Sequence, residues 1–180
     1  SALANSGTGE RGIFNRGNLI NQLPARRVEA FDEGNPSDWG TNPCGEITLR
    51  SKQFCNLTSI VIREDDSVET MLRKIRLASI LGTFQATLTN FPYLSKEWRE
   101  NCVKEALLGV SLTGYFDNAL SRKEENLRKM RDLAVEVNKE FAQRFGINQS
   151  TCVTCIKPSG NSSQLLDTAS GMHPRYSQYY

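Results

Sequence analysis

The stretch Thr41-Asn42-Pro43-Cys44-Gly45-Glu46-Ile47 sets an amide, a thiol and a carboxylate at every second position. In an extended strand or finger-like loop, residues two and four apart face the same way, so Asn42, Cys44 and Glu46 are expected on one face. Pro43 fixes its own φ and biases Asn42 toward extended geometry, while Gly45 lets another group approach the backbone closely. A redox-capable sulfur, a general base and an orienting amide on one loop suit work on a single small substrate. Read alone, Cys44 is a free thiol of the kind usually buried and inert; the pattern around it is what gives it chemistry. Cys55 follows eleven residues later, in Phe54-Cys55-Asn56-Leu57. Farther on, Pro158, Ser159, Gly160, Asn161, Ser162 and Ser163 offer backbone amides and hydroxyls ahead of an expected helix start, a cradle suited to phosphate oxygens. On residue types alone the same run is also a structural turn. Cys152 and Cys155 form a C-x-x-C, but within a β-branched strand pattern and on opposite faces of it, so a metal or redox motif is rejected. Cys102 reads as packing, and His173, the sole histidine, as a turn or packing residue before Pro174.

The elements that must hold these groups alternate along the chain. Gly7, Gly9, Gly12 and Gly17 make the beginning a loop. Residues 14–26 are expected as a short helix ended by Pro24. Residues 28–45 contain Gly34, Pro36, Gly40, Pro43 and Gly45, so a long ordered loop without regular structure is expected there, with Trp39 as a packing or anchoring aromatic. Residues 54–62 read as a buried strand. Asp66-Ser67-Val68-Glu69 resembles a capping box ahead of a helix. Its apolar positions, among them Leu72, Ile75, Leu77, Ala78, Leu81, Phe84 and Leu88, cover most of the circumference, so it is largely buried or needs a partner surface. Residues 95–105 supply one or two helical turns, and 107–113 a second strand closed by Gly114. Ser121-Arg-Lys-Glu124 is a second capping box before an amphipathic helix striped with Leu127, Met130, Ala134, Val137, Phe141 and Phe145, with Gly146 as C-cap and a solvated outer face. Residues 151–156 form a third strand and 164–169 a short helix. Strands alternating with helices give an α/β fold with parallel strands.

Asn-Pro-Cys-Gly-Glu at 42–46, followed by Phe-Cys-Asn-Leu at 54–57, resembles the finger loop and next strand of ribonucleotide reductases. The Pro-Cys-Gly-Glu form is most similar to the adenosylcobalamin-dependent class II. Residues 6–15 are similar to the segment upstream of that loop. Lys-Pro-Ser-Gly-Asn-Ser-Ser at 157–163, continuing to Ser-Gly-Met-His-Pro-Arg at 170–175, is similar to the substrate-phosphate region. The matches come in family order and span nearly the whole chain. The resemblance implies a piece of a longer enzyme whose α/β fold is part of a ten-stranded α/β barrel. Residues 1–53 would be the upstream segment and finger loop, and 54–180 part of the second half-barrel. It implies that Cys44 carries the thiyl radical that takes the ribose 3′-hydrogen, that Glu46 accepts the 3′-hydroxyl proton, and that Asn42 hydrogen-bonds the ribose hydroxyls. Cys55 would be one of two reducing thiols, its partner lying in the other half-barrel. Residues 158–163 would hold the substrate phosphates, with Asn161 departing from the threonine or glutamate associated with that position. Adenosylcobalamin is the implied radical source, a di-iron or dimanganese partner subunit the alternative. Implied partners are the ribonucleotide, a thioredoxin-type reductant, and the rest of the reductase as the same or a split chain.

At 180 residues the chain is one domain or part of one. Its 22 basic and 20 acidic residues leave a net charge of +2, which gives no electrostatic case for nucleic-acid binding. No apolar run approaches the roughly 18 residues of a membrane span, and the beginning lacks a signal-peptide pattern. Five irregularly spaced cysteines are unlike a secreted disulfide framework and point to a reducing cytoplasm. The competing expectation is a non-catalytic module, either phosphate-binding or a zinc-stabilised scaffold using four of the five cysteines.

Overall fold

The computed structural model describes residues 2–9, 12–29 and 36–177. Residues 10 and 11 of the upstream segment, Gly34 of the long loop and the last three residues lie outside the described residues. The elements run α1 (Ala2–Asn5), a 3₁₀ turn (Arg16–Asn21), α2 (Ala25–Val28), a second 3₁₀ turn (Pro36–Asp38), β1 (Trp39–Thr41), β2 (Thr48–Arg50), β3 (Asn56–Val61), α3 (Val68–Gln85), α4 (Lys96–Glu105), β4 (Leu108–Thr113), a third 3₁₀ turn (Tyr115–Asp117), α5 (Glu124–Phe145) and α6 (Ser162–Leu165).

β3 and β4 pair in parallel, in register from Asn56 opposite Leu108 to Val61 opposite Thr113. Parallel neighbours need a crossover, and α3 with α4 provides it. A third run lies on the far side of β4. Leu108 N–H donates to Cys152 O at 3.0 Å, Val110 N–H to Val153 O at 2.8 Å, and Cys155 N–H to Val110 O at 3.1 Å. The expected third strand therefore follows β4, but it shrinks to a single bridge, Val110 with Thr154. The ladder stops because Lys157 N–H donates to the Ser111 hydroxyl, at 3.0 Å, instead of to backbone.

The core sits between this sheet and α3 and α5. Ile60, Ile62, Met71, Ile75, Leu108, Val110, Met130, Ala134 and Val153 are buried in one cluster. A polar tie crosses it: Asn138 of α5 donates to Thr83 Oγ1 at 3.0 Å and to Ser150 Oγ at 2.9 Å, and accepts from Ser150 N–H at 3.0 Å. Buried amides persist when fully partnered in this way. Gly146 caps α5 in the left-handed conformation, φ 68°, as the sequence pattern requires.

Several expectations change. Pro24 does not end a helix over 14–26; it precedes α2, after a 3₁₀ turn, because a proline lacking N–H is tolerated at a helix start. Residues 39–41 and 48–50 form a short antiparallel hairpin where only loop is expected. Neither capping box forms as read. Ser67 is the N-cap of α3 and accepts from Thr70 N–H at 3.2 Å, while Asp66 accepts from Arg63 N–H at 2.7 Å and from the Thr70 hydroxyl at 2.9 Å. Ser121 turns inward, donating to Tyr115 O and Asn118 O at 2.6 and 2.7 Å, so α5 begins at Glu124. α3 buries Met71, Ile75 and Ala78, while Leu77, Leu81, Phe84 and Leu88 stay exposed. No helix among the described residues is long and apolar enough to cross a membrane.

Candidate functional site

The hairpin that carries Asn42, Cys44 and Glu46 reverses within them. Gly45 N–H donates to Asn42 O at 3.0 Å, and Gly45 adopts φ 80°, a left-handed conformation that suits a residue without Cβ. Asn42 closes the loop from both ends: its N–H donates to Ile47 O at 3.2 Å and its Oδ1 accepts Ile47 N–H at 3.0 Å. The two-residue alternation of an extended strand therefore does not apply, and the three side chains do not share a face. Cys44 is exposed at the tip. Glu46 points inward, both carboxylate oxygens shielded from solvent and without a hydrogen-bond partner among the described residues. Such a group costs free energy unless a partner arrives.

A buried polar network fastens the hairpin to the sheet. Arg27, 1 % exposed, donates from Nε to Glu105 Oε1 at 2.8 Å and from Nη1 to Thr48 O of β2 at 2.7 Å. Its guanidinium also lies 5.1 Å from the Trp39 ring centre, which makes Trp39 a packing partner of the hairpin base. Gln53 links the same groups, accepting from Arg50 N–H at 2.9 Å and donating to Glu105. Thr151 Oγ1 donates to Glu105 Oε1 at 2.9 Å. The polar side chains of this network carry no local sequence signal, because Arg27 and Glu105 meet only through the fold.

Two thiols face the hairpin across β4. A Cβ on Gly109 would stand 3.2 Å from Cys55 Sγ, 2.9 Å from Cys155 Sγ and 2.4 Å from Leu57 Cδ2. Only glycine leaves this space open. Burial pushes the Cys55 thiol well above its usual range, and Cys155 and Cys152 nearby push it further. Burial also pushes Cys155 up to about 11, with the Glu46 carboxylate adding to the effect. Both sulfurs therefore hold their hydrogens at neutral pH, which makes them hydrogen donors, not thiolate nucleophiles. The Glu46 carboxylate thus lies close enough to act on both Cys55 and Cys155, and the sequence reading did not foresee Cys155 there. Cys152 has different surroundings: burial raises its pKa, partly offset by Arg27, whose Nη1 lies 3.9 Å from its sulfur. Cys102 is half-buried packing, raised by burial. Among the described residues, no group of three or more His, Cys, Asp or Glu side chains is placed to hold a metal ion, so the zinc-scaffold alternative has no ligand set there.

The loop at 158–163 follows the third run, starting three residues beyond Cys155. Ser159 Oγ sits 2.6 Å from Ser163 Oγ and 2.7 Å from Ser170 Oγ, and Ser162 Oγ donates to Ser159 O at 2.6 Å. Ser163 is buried, so its hydroxyl shapes the loop. The backbone N–H groups of Ser159, Gly160 and Asn161 donate to no other described residue, and Gly160 and Asn161 are exposed. The helix after the loop starts at Ser162, earlier than expected, and is a single turn. Its dipole is weak, and what the loop offers an anion is open backbone N–H. His173 makes a turn, its N–H donating to Ser170 O at 2.8 Å.

No family model matches the chain. Among curated proteins it is similar to the adenosylcobalamin-dependent ribonucleoside-triphosphate reductase of Lactobacillus delbrueckii subsp. bulgaricus, 26 % identical over 203 residues, covering 95 % of this chain and 27 % of that protein. The Lactobacillus gasseri protein of the same description is 27 % identical over 171 residues, covering 78 % of this chain and 22 % of the relative. The chain thus spans about a quarter of the length of the curated relatives it matches. Its fold matches part of the crystal structure of a B-12-dependent, class II ribonucleotide reductase, with a TM-score of 0.59 and 24 % identity, over 78 % of this chain and 23 % of that one.

Proposed function

We propose that this chain, a distant homologue over most of its length of the adenosylcobalamin-dependent class II ribonucleotide reductases, carries the finger loop and part of the second half-barrel of such an enzyme. The observation that carries this reading is Glu46, a solvent-shielded carboxylate with no partner among the described residues, set close to the buried Cys55 and Cys155 thiols. A carboxylate so placed is completed by a ligand hydroxyl.

In this reading the ribose 3′-hydroxyl donates to Glu46, which takes its proton as general base. Asn42, with Oδ1 engaged by Ile47 N–H, turns its Nδ2 donor to a ribose hydroxyl. Cys44, exposed at the hairpin tip, takes the 3′-hydrogen as a thiyl radical. Cys55, held as a thiol by burial, is one of two sulfurs that supply the reducing hydrogens and electrons. Ser159, Gly160 and Asn161 donate backbone N–H to the substrate phosphates, with Pro158, Ser162 and Ser163 shaping the loop. Adenosylcobalamin, when bound, supplies the radical equivalent, and the exposed Cys44 is the residue that would meet it; a di-metal partner subunit is the alternative source. The remaining reductase chain, in cis or as a split partner, and a thioredoxin-type reductant complete the reaction, in the cytoplasm.

The test is calorimetric titration of the chain with a ribonucleoside triphosphate and with its 3′-deoxy analogue. A hydrogen bond to a charged group is worth about 1.5–3 kcal/mol, so the ribonucleotide should bind at least tenfold more tightly, and Glu46→Ala should erase that difference. Equal binding of the two nucleotides by the parent chain, or no binding of either, would overturn the reading. The chain alone should not turn over with adenosylcobalamin and a dithiol.

A further inference from the structure

Leu77, Leu81, Phe84 and Leu88 stand 56, 61, 54 and 63 % exposed, on a face of α3 and its following turn other than the one that buries Met71, Ile75 and Ala78. Their spacing of four, three and four residues places them in one stripe, the arrangement by which a helix interleaves apolar side chains with those of a second helix. Phe145 of α5 widens the stripe, its ring 5.9 Å from that of Phe84 in an edge contact. Contiguous apolar surface of this kind marks an interaction site more often than isolated exposed leucines do. The charges along it are unbalanced. Arg73 is exposed one turn before Leu77 and has no ion pair among the described residues. Arg76 and Arg144 share one carboxylate, Glu140, at 3.3 and 2.6 Å. Glu69 lies a further turn toward the N-terminus, beyond the end of the stripe.

We propose that this face docks an amphipathic helix of a partner polypeptide, with leucine-like side chains at the same four–three spacing and glutamate or aspartate beside them. The apolar stripe sets the spacing and the excess of arginine sets the sign of the flanking charge. A second copy of the chain would bring the same arginines to the interface, which disfavours self-pairing. The inference draws on none of the residues assigned to the reductase reaction, so it does not depend on that reading.

Two synthetic helical peptides with identical leucine spacing, one flanked by glutamates and one by lysines, test it by fluorescence anisotropy against the full chain. The glutamate peptide should bind at least tenfold more tightly, less so at high salt. Leu81→Asp should weaken it at least tenfold, and Arg73→Glu combined with Arg76→Glu should move the preference to the lysine peptide. These positions are exposed, so circular dichroism melts should stay near those of the parent; if Leu81→Asp melts early, the charge swap still decides. Equal binding of both peptides, binding of neither, no effect of the charge swap, or sedimentation showing a dimer lost in Leu81→Asp would each overturn the proposal.

Discussion

Around β3, β4, α3 and α5 the chain buries Ile62, Met71, Leu108, Met130 and Val153, apolar side chains meeting in one cluster. In the hairpin of β1 and β2, Ile47 is the buried apolar side chain, and the attachment runs instead through Arg27, Gln53, Glu105 and Thr151. The first region is held by area removed from water, roughly 25 cal/mol per Å², and tolerates volume-conserving change. The second is held by a buried ion pair whose members are costly to desolvate and more costly to separate. The hairpin that carries Cys44 and Glu46 thus rests on a few specific bonds to a rigid sheet. The apolar burial lies mainly in the first region, and Cys44 and Glu46 stand on the second.

Substitutions in the two regions press on that contrast, and the larger effect is expected in the polar region. Arg27→Met leaves Glu105 buried without its cation, which should cost about 3–5 kcal/mol in urea denaturation. The double change with Glu105→Leu should recover most of the loss, because two apolar groups no longer leave a charge unpaired. A loss under about 1 kcal/mol for the single change would mean that the network does not hold the hairpin. On the sheet, Gly109→Ala sets a methyl 2.4 Å from Leu57 Cδ2 and 2.9 Å from Cys155 Sγ. Overpacking of this kind costs about 1–3 kcal/mol. It should also displace the thiols, so that iodoacetamide labels Cys55 and Cys155 faster than in the parent chain. Unchanged stability and labelling would mean the space at Gly109 is looser than the contacts require.

The same contrast explains what the sequence made legible. α5 was readable because Met130, Ala134, Val137 and Phe141 repeat with the helical period, and β3 because Leu57, Ile60 and Val61 are a short β-prone run. Glu46 and Cys55 were singled out by residue type and found near one another. The shared face of Asn42, Cys44 and Glu46 was not real, because a turn at Pro43 and Cys44 breaks the alternation that the expectation assumed. Cys155 was set aside with Cys152 as a local pair, yet its neighbours are Cys55 and Glu46, both about a hundred positions away along the chain. Arg27 and Glu105 are ordinary charged residues until the fold buries both. Contacts between distant positions have no period and no motif, and the site is assembled from such contacts.

On the sheet side, acid should act through Asp66 at the entry to α3. Burial works to raise its pKa, but hydrogen bonds from Lys74, Arg63 N–H and Thr70 outweigh it and hold the carboxyl below the usual range. A carboxylate lowered on folding contributes stability that is present above its unfolded pKa, about 3.9, and is lost as pH falls through the folded value. Denaturation midpoints should therefore drop below about pH 4, and Asp66→Asn should be less stable at neutral pH with a shallower acid limb. An acid limb identical in parent and variant would remove Asp66 from the account.

The smallest effect belongs to Ser67, whose hydroxyl caps α3 by accepting Thr70 N–H at 3.2 Å. The N-terminal N–H groups of a helix have no partner within it, and a capping side chain satisfies one of them. Ser67→Ala removes that acceptor at an exposed position where water replaces it, so the loss should be about 1 kcal/mol. Ser121, in the turn ahead of α5, is the matched comparison. Its hydroxyl is fully buried, with its one hydrogen between the Tyr115 and Asn118 carbonyl oxygens, so Ser121→Ala removes a donor that water cannot readily replace. Thermal melts of both variants separate the cases: Ser121→Ala should lose more than Ser67→Ala, although the sequence pattern assigns the two serines the same capping role. If the two losses were equal, or reversed in order, the inward turn of Ser121 would not be a stabilising feature of the fold.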